Sequence, residues 1–101
     1  MKTDENFLLG LCQMATRVAK EENLRQAQQM VQQAAREGCR LVVLPEMFSC
    51  PYQAALFPKY AEAAAGETVR RMGAWARESG VILVGGSIPE CDEAGRVYNT
   101  S

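Results

Sequence analysis

Residues 35–46 read Ala35-Arg36-Glu37-Gly38-Cys39-Arg40-Leu41-Val42-Val43-Leu44-Pro45-Glu46. A helix end passes through a glycine stop into an apolar run that closes on Pro-Glu. Gly38 can take the left-handed position just past a helix. Pro45 has no N–H to give to a ladder, so it ends the strand. The same order returns further on, where Ala76-Arg77-Glu78-Ser79-Gly80 leads into an apolar run ending at Pro89-Glu90. Helix, stop and strand, twice over, predict crossover units and an α/β fold. The spacing is too irregular for a solenoid.

Working outward, residues 7–14 (FLLGLCQM) are nearly continuous apolar residues without helical period. They read as a strand buried on both faces. Residues 20–37 place Leu24, Ala27, Val31, Ala34 and Ala35 on one helical stripe, with Gln26, Gln29, Gln33 and Arg36 facing elsewhere. Residues 40–44 form the next strand. Residues 46–65 are a long connection with Pro51, Pro58 and a short helix around residues 54–60. Connections of this length in compact domains are usually functional. Residues 67–79 read as a second helix with Val69, Met72, Trp75 and Ala76 on one side. Residues 81–88 (VILVGGSI) read as a third strand, residues 91–95 as a polar turn, and residues 97–100 as the hairpin partner of the third strand.

Composition limits what such a fold can do. At 101 residues the chain holds one domain at most; we place it at residues 7–101, after a polar tail at 1–6. The chain carries 11 Lys+Arg against 12 Asp+Glu, a balance with no long-range pull toward nucleic acid or an anionic membrane. It contains 0 histidines, which removes Ser-His-Asp and Cys-His catalysis and His-ligated zinc. Cys12, Cys39, Cys50 and Cys91 show no C-x-x-C spacing and read as reduced thiols in a cytoplasmic protein. The N-terminus lacks a signal peptide, and no apolar stretch approaches the roughly 18 residues a membrane span needs. Asn99-Thr100-Ser101 matches the glycosylation pattern, which carries no weight without a secretory signal.

In open α/β sheets, reactive groups lie just beyond the carboxyl ends of strands. Glu46 and Glu90 occupy such places. Glu46 sits between Leu44-Pro45 and Met47-Phe48, with Pro51-Tyr52 close behind. An acid there is expected to be partly desolvated, which favours its neutral form and suits a general base. The plain alternative is a strand-end carboxylate that satisfies loop N–H groups. Glu90 leads into a solvated turn, where carboxylates are commonplace. Gly85-Gly86 lacks the third glycine and the following helix of a dinucleotide site; close backbone packing at a strand end explains it better. Arg70, Arg71 and Arg77 read as a solvated helix face, and Met72 and Trp75 as core. Tyr52, Phe57 and Tyr60 either line a pocket or pin the loop.

The string Leu41-Val42-Val43-Leu44-Pro45-Glu46-Met47-Phe48 does not stand alone. It is followed by Pro51-Tyr52, Phe57-Pro58-Lys59-Tyr60-Ala61-Glu62, Gly66-Glu67-Thr68, Gly85-Gly86-Ser87-Ile88-Pro89-Glu90 and Tyr98-Asn99-Thr100. Together these resemble the nitrilase superfamily of carbon–nitrogen hydrolases, and most closely its omega-amidase branch, over about residues 7–101. The resemblance implies the N-terminal portion of an α-β-β-α sandwich that homo-oligomerises in its full-length form. It implies hydrolysis of small carboxylate-bearing amides by a Glu-Lys-Cys triad, with no metal or organic cofactor. Cysteine would attack the amide carbon, glutamate would move the proton, and lysine would stabilise the oxyanion.

Of that triad only Glu46 carries over, as the base. Phe48 and Tyr52 fall near the family's pocket wall and are candidate substrate contacts. The lysine and cysteine would come after Ser101. Lys2, Lys20 and Lys59 match no such motif, and Cys50 is read as packing. The expectation is therefore the first part of an amidase, interrupted in its fourth strand. The alternative is an interaction module that pairs through its open sheet edge. A nucleotide-binding protein rests only on Gly85-Gly86.

Overall fold

The computed structural model describes residues 6–101. Apart from Asn6, the expected tail at residues 1–6 lies outside the described residues. The elements run β1 (Leu8–Leu11), α1 (Lys20–Arg36), β2 (Cys39–Val43), a 3-10 turn at Ala54–Leu56, α2 (Phe57–Tyr60), α3 (Glu67–Ser79), β3 (Ile82–Val84), β4 (Ile88–Cys91) and β5 (Val97–Thr100).

Strands β1, β2 and β3 form a parallel sheet in that order, with α1 and α3 as crossovers. This is the expected α/β alternation. Helix α1 buries Leu24, Ala27 and Val31 against the sheet. Burying a leucine or valine side chain stabilises by about 1.5–3 kcal/mol. Glu21 and Glu22 lie in its first turn and Arg36 in its last, matching the helix dipole. Gly38, with φ 93°, turns the chain into β2. Helix α3 has the expected bounds and ends at Gly80 in the left-handed region, with φ 67°. Arg71 on α3 reaches Glu21 on α1 at 2.8 Å and Glu67 at 3.0 Å, so the two helices are also tied at their exposed side.

The start of α3 is capped from outside. Gly66 at its N-cap has no side chain to offer. Instead Glu62 Oε1 accepts from the Thr68 amide at 2.8 Å, and Glu62 Oε2 accepts from Thr68 Oγ1 at 2.5 Å. Lys20 Nζ pairs with the same carboxylate at 2.9 Å. Burial pushes the Glu62 carboxyl up, and the Thr68 hydrogen bonds and Lys20 together outweigh that and hold it below the ordinary carboxylate range.

Two expectations need correction. First, β1 is not buried on both faces. The row Gly10–Val42–Leu83 is in register and faces the helices, and Val42 is fully buried. Side chains alternate across a strand, so Leu9–Leu41–Ile82 and Leu11–Val43–Val84 fall on the other face. There Leu11 is 71% and Ile82 68% exposed. The apolar run records a strand suited to cover on both sides, and the described residues cover one.

Second, the strand expected at residues 81–88 is two strands. β3 ends at Val84, and β4 begins at Ile88 in a separate antiparallel hairpin with β5. The break is at Gly86, where φ is 60° and a Cβ would lie 2.0 Å from the Pro45 carbonyl oxygen. Close packing at that point bends the chain out of the first sheet. The expected pairing of residues 97–100 as a hairpin is present, though with residues 88–91 as partner. Asp92 holds its turn by accepting from the Ala94 and Arg96 amides, Arg96 Nε and Tyr98 Oη.

Candidate functional site

The loops that follow β1, β2 and β3 are joined to one another by the residues around Glu46. Leu44 gives its N–H to Val84 O at 2.9 Å, the last bond toward β3 before Pro45 ends the ladder. Glu46 follows at once. The next residue, Met47, has φ 52°, a left-handed conformation that bulky side chains adopt rarely. The turn is held from across the fold. Met47 N–H donates to Ser87 Oγ at 2.9 Å, and Phe48 N–H donates to Ser87 O at 3.3 Å.

A second restraint comes from α1. Asn23 is fully buried; its Nδ2 donates to Ser49 O at 3.1 Å and to Arg17 O at 2.9 Å, and its Oδ1 accepts from the Arg17 amide. One side chain thus joins the loop after β1 to the loop after β2. Tyr60 adds a hydroxyl bond to Val18 O in the same loop. Tyr60 therefore pins a loop.

Above this packed base Glu46 stands exposed, while Met47, Phe48, Ser49 and Cys50 are all buried. The expected desolvation of Glu46 is not found. Its apolar neighbours in sequence turn inward beneath it and do not close around it. Glu46 Oε2 accepts from Asn99 Nδ2 at 2.7 Å. Among the described residues this is the one hydrogen bond to that carboxylate.

The structure separates the other two candidates from each other. Phe48 is 0% exposed and belongs to the core with Leu24, Val42 and Trp75. Tyr52 is 64% exposed and meets Phe57 edge-on at 5.7 Å. Only Tyr52 has a ring open to a ligand. A groove of about 460 Å³ lies between α3 and the β4–β5 hairpin, lined by Met72, Leu83, Ile88 and Glu90 among others. It includes none of Glu46, Phe48 and Tyr52.

Among the described residues no lysine forms an ion pair with Glu46 and no cysteine hydrogen-bonds to it. Lys20 is paired with Glu62. Cys50 is buried and directs its thiol to Pro51 O at 3.2 Å; burial pushes this thiol up, with Lys20 opposing. Such a thiol is a poor nucleophile. Burial likewise pushes the Cys12 thiol up, with Cys39 adding to it. Among the described residues no group of three or more His, Cys, Asp or Glu is placed to hold a metal ion, and no helix is long and apolar enough to cross a membrane.

Reading the sequence for chemistry missed Asn99, Ser87 and Asn23. Asn99 and Ser87 lie within the motifs Tyr98-Asn99-Thr100 and Gly85-Gly86-Ser87, but neither residue type announces a role. Nothing in the sequence around Asn23 marks it.

Residues 8–101 match the family model described as carbon–nitrogen hydrolase. The chain is 44% identical over 94 residues to omega-amidase NIT2 of Xenopus tropicalis, covering 93% of this chain and 34% of the relative. It is 41% identical over 95 residues to the human omega-amidase NIT2, covering 94% and 34%. The crystal structure of Saccharomyces cerevisiae Nit3, a member of branch 10 of the nitrilase superfamily, superposes with a TM-score of 0.82 at 35% identity, over 90% of this chain and 36% of that one. The chain therefore spans about a third of the length of the curated relatives it matches.

Proposed function

The chain belongs to the carbon–nitrogen hydrolase family, and from that premise we propose that it supplies the general base of an amidase that acts on small carboxylate-bearing amides. The observation that carries this reading is the placement of Glu46. It is an exposed carboxylate at the end of a parallel strand, on a loop whose backbone is fixed by Ser87 and Asn23. The reading also draws on the omega-amidase relatives.

In the proposed reaction a cysteine thiol attacks the amide carbon while its proton passes to Glu46. The tetrahedral oxyanion is met by a lysine ammonium. The C–N bond then breaks, and Glu46 returns the proton to the departing nitrogen as ammonia leaves. Water attacks the thioester, Glu46 takes its proton, and the carboxylic acid and thiol are released. The lysine and cysteine are supplied by polypeptide outside these residues. Tyr52 is the candidate substrate contact. Phe48 acts by packing under the loop. The active form is a homo-oligomer.

The test is ammonia release from small amides by the polypeptide encoded by the reading frame that carries these residues. Glu46→Gln should lower kcat by about 10²- to 10⁴-fold. Turnover unaffected by that change would remove the proposal.

A second reading rests on the open apolar sheet face, with Leu9, Leu11, Ile82 and Val84 exposed. A face of this kind invites pairing with another copy. Sedimentation of the 101-residue chain decides it: a dimer supports pairing, and a monodisperse folded monomer contradicts it.

A further inference from the structure

We infer that Asn99 is a positioning residue that holds Glu46 Oε2 and leaves Oε1 as the oxygen that exchanges protons. The inference rests on the proposed function and deepens it. The backbone under Glu46 is already fixed by the Ser87 and Asn23 bonds. What remains free is the side chain itself, which has several rotatable bonds and stands exposed. Asn99 Nδ2, 2.7 Å from Oε2, removes that freedom.

Three features fit a positioning role. Asn99 comes from β5, on the far side of the Gly86 bend, so an element outside the three-stranded sheet reaches back to the carboxylate. Its platform is braced: the β4–β5 turn is held by the Asp92 network, and β4 is tied to Glu62 through Glu62 N–H to Pro89 O at 3.1 Å and Cys91 N–H to Glu62 O at 2.9 Å. The donor is a neutral amide. It orients the carboxylate and stays uncharged throughout a proton-transfer cycle, which a lysine or arginine in its place would not. Fixing a reacting group in one orientation raises rate without new chemistry.

The test uses the same encoded polypeptide. Asn99→Ala and the near-isosteric Asn99→Asp should each lower kcat by about tenfold or more, with KM within about twofold. The melting temperature should move by less than about 2 °C, because both partners are exposed. The side-chain amide resonances of Asn99 should shift when Glu46 is replaced in Glu46→Gln, because Nδ2 loses its carboxylate acceptor. Unchanged kcat in both Asn99 variants, or amide resonances indifferent to Glu46→Gln, would overturn the inference. If Glu46→Gln abolishes turnover and the Asn99 variants do not reduce it, only the Asn99 role falls. If Glu46→Gln leaves turnover intact, the proposed function falls and the catalytic role of Asn99 falls with it.

Discussion

Ser87 Oγ accepts the Met47 amide at 2.9 Å, across a sequence separation of 40 residues. That bond sits under the left-handed turn that follows Glu46. Both residues are buried, so water does not replace the acceptor easily. Removing the hydroxyl leaves a buried N–H unsatisfied, which costs about 1–3 kcal/mol. Ser87→Ala should therefore lower the stability of the 101-residue chain by that amount in urea denaturation. Ser87→Thr, which keeps the hydroxyl, should lose less.

Gly86 is the harsher position. A Cβ there meets Pro45 O at 2.0 Å and Leu44 O at 2.6 Å, and both are backbone atoms that cannot swing aside. The left-handed φ of 60° adds strain for any other residue. Gly86→Ala should destabilise by more than about 3 kcal/mol. Gly95, also at positive φ but with nothing within 4 Å of where a Cβ would stand, is the control. Gly95→Ala should cost only its backbone strain, about 1–2 kcal/mol. Equal losses at the two positions would contradict the packing explanation for Gly86.

Asn23 joins two loops through three hydrogen bonds, two given by its amide and one taken by its carbonyl. Asn23→Ala should cost about 2–4 kcal/mol, because it leaves buried backbone groups unpaired as well as a void. Asn23→Asp loses the amide donor and places a charge against Ser49 O and Arg17 O, so it should be no milder. Hydrogen exchange should quicken in both loops together in either variant.

Glu62 should make stability depend on acidity. Its carboxyl lies below the ordinary range in the folded chain, despite burial, because Thr68 and Lys20 hold the charged form. The native state thus binds fewer protons than the unfolded chain in that window. This contribution is present in full above the ordinary carboxylate range and is lost as pH falls through the folded value. The denaturation midpoint should fall on acidification, and Glu62→Gln should flatten part of that fall. An unchanged acid dependence in Glu62→Gln would contradict the capping role.

Much of this architecture is legible in the sequence. Helix α3 lies at residues 67–79 as its periodicity predicts, and Gly38 and Gly80 stop their helices through local conformation. Pro45 and Glu46 mark the end of β2 for an equally local reason. The division of residues 81–91 into two strands is not legible in this way. Its cause is the contact of Gly86 with Pro45, which no window around Gly86 contains. The exposure of β1 is hidden for a different reason. An apolar run tells which surfaces gain from cover, and not which residues provide it.

The site divides along the same line. Glu46 is legible because a Pro-Glu strand end lies within a recognisable motif. Its exposure is not, since Met47 and Phe48 give an apolar setting in sequence and turn away in space. Asn99 acquires its place only when the β4–β5 hairpin folds back toward β2. Phe48 shows the opposite limit: proximity in sequence to a candidate carboxylate says little about which way a ring packs.

The most direct measurement is kcat for ammonia release from a small amide by the encoded polypeptide and its Glu46→Gln variant, with the melting temperature of each recorded alongside. The account predicts a fall of about 10²-fold or more in kcat, with stability nearly unchanged because Glu46 is exposed. Equal kcat values for the two proteins would contradict it.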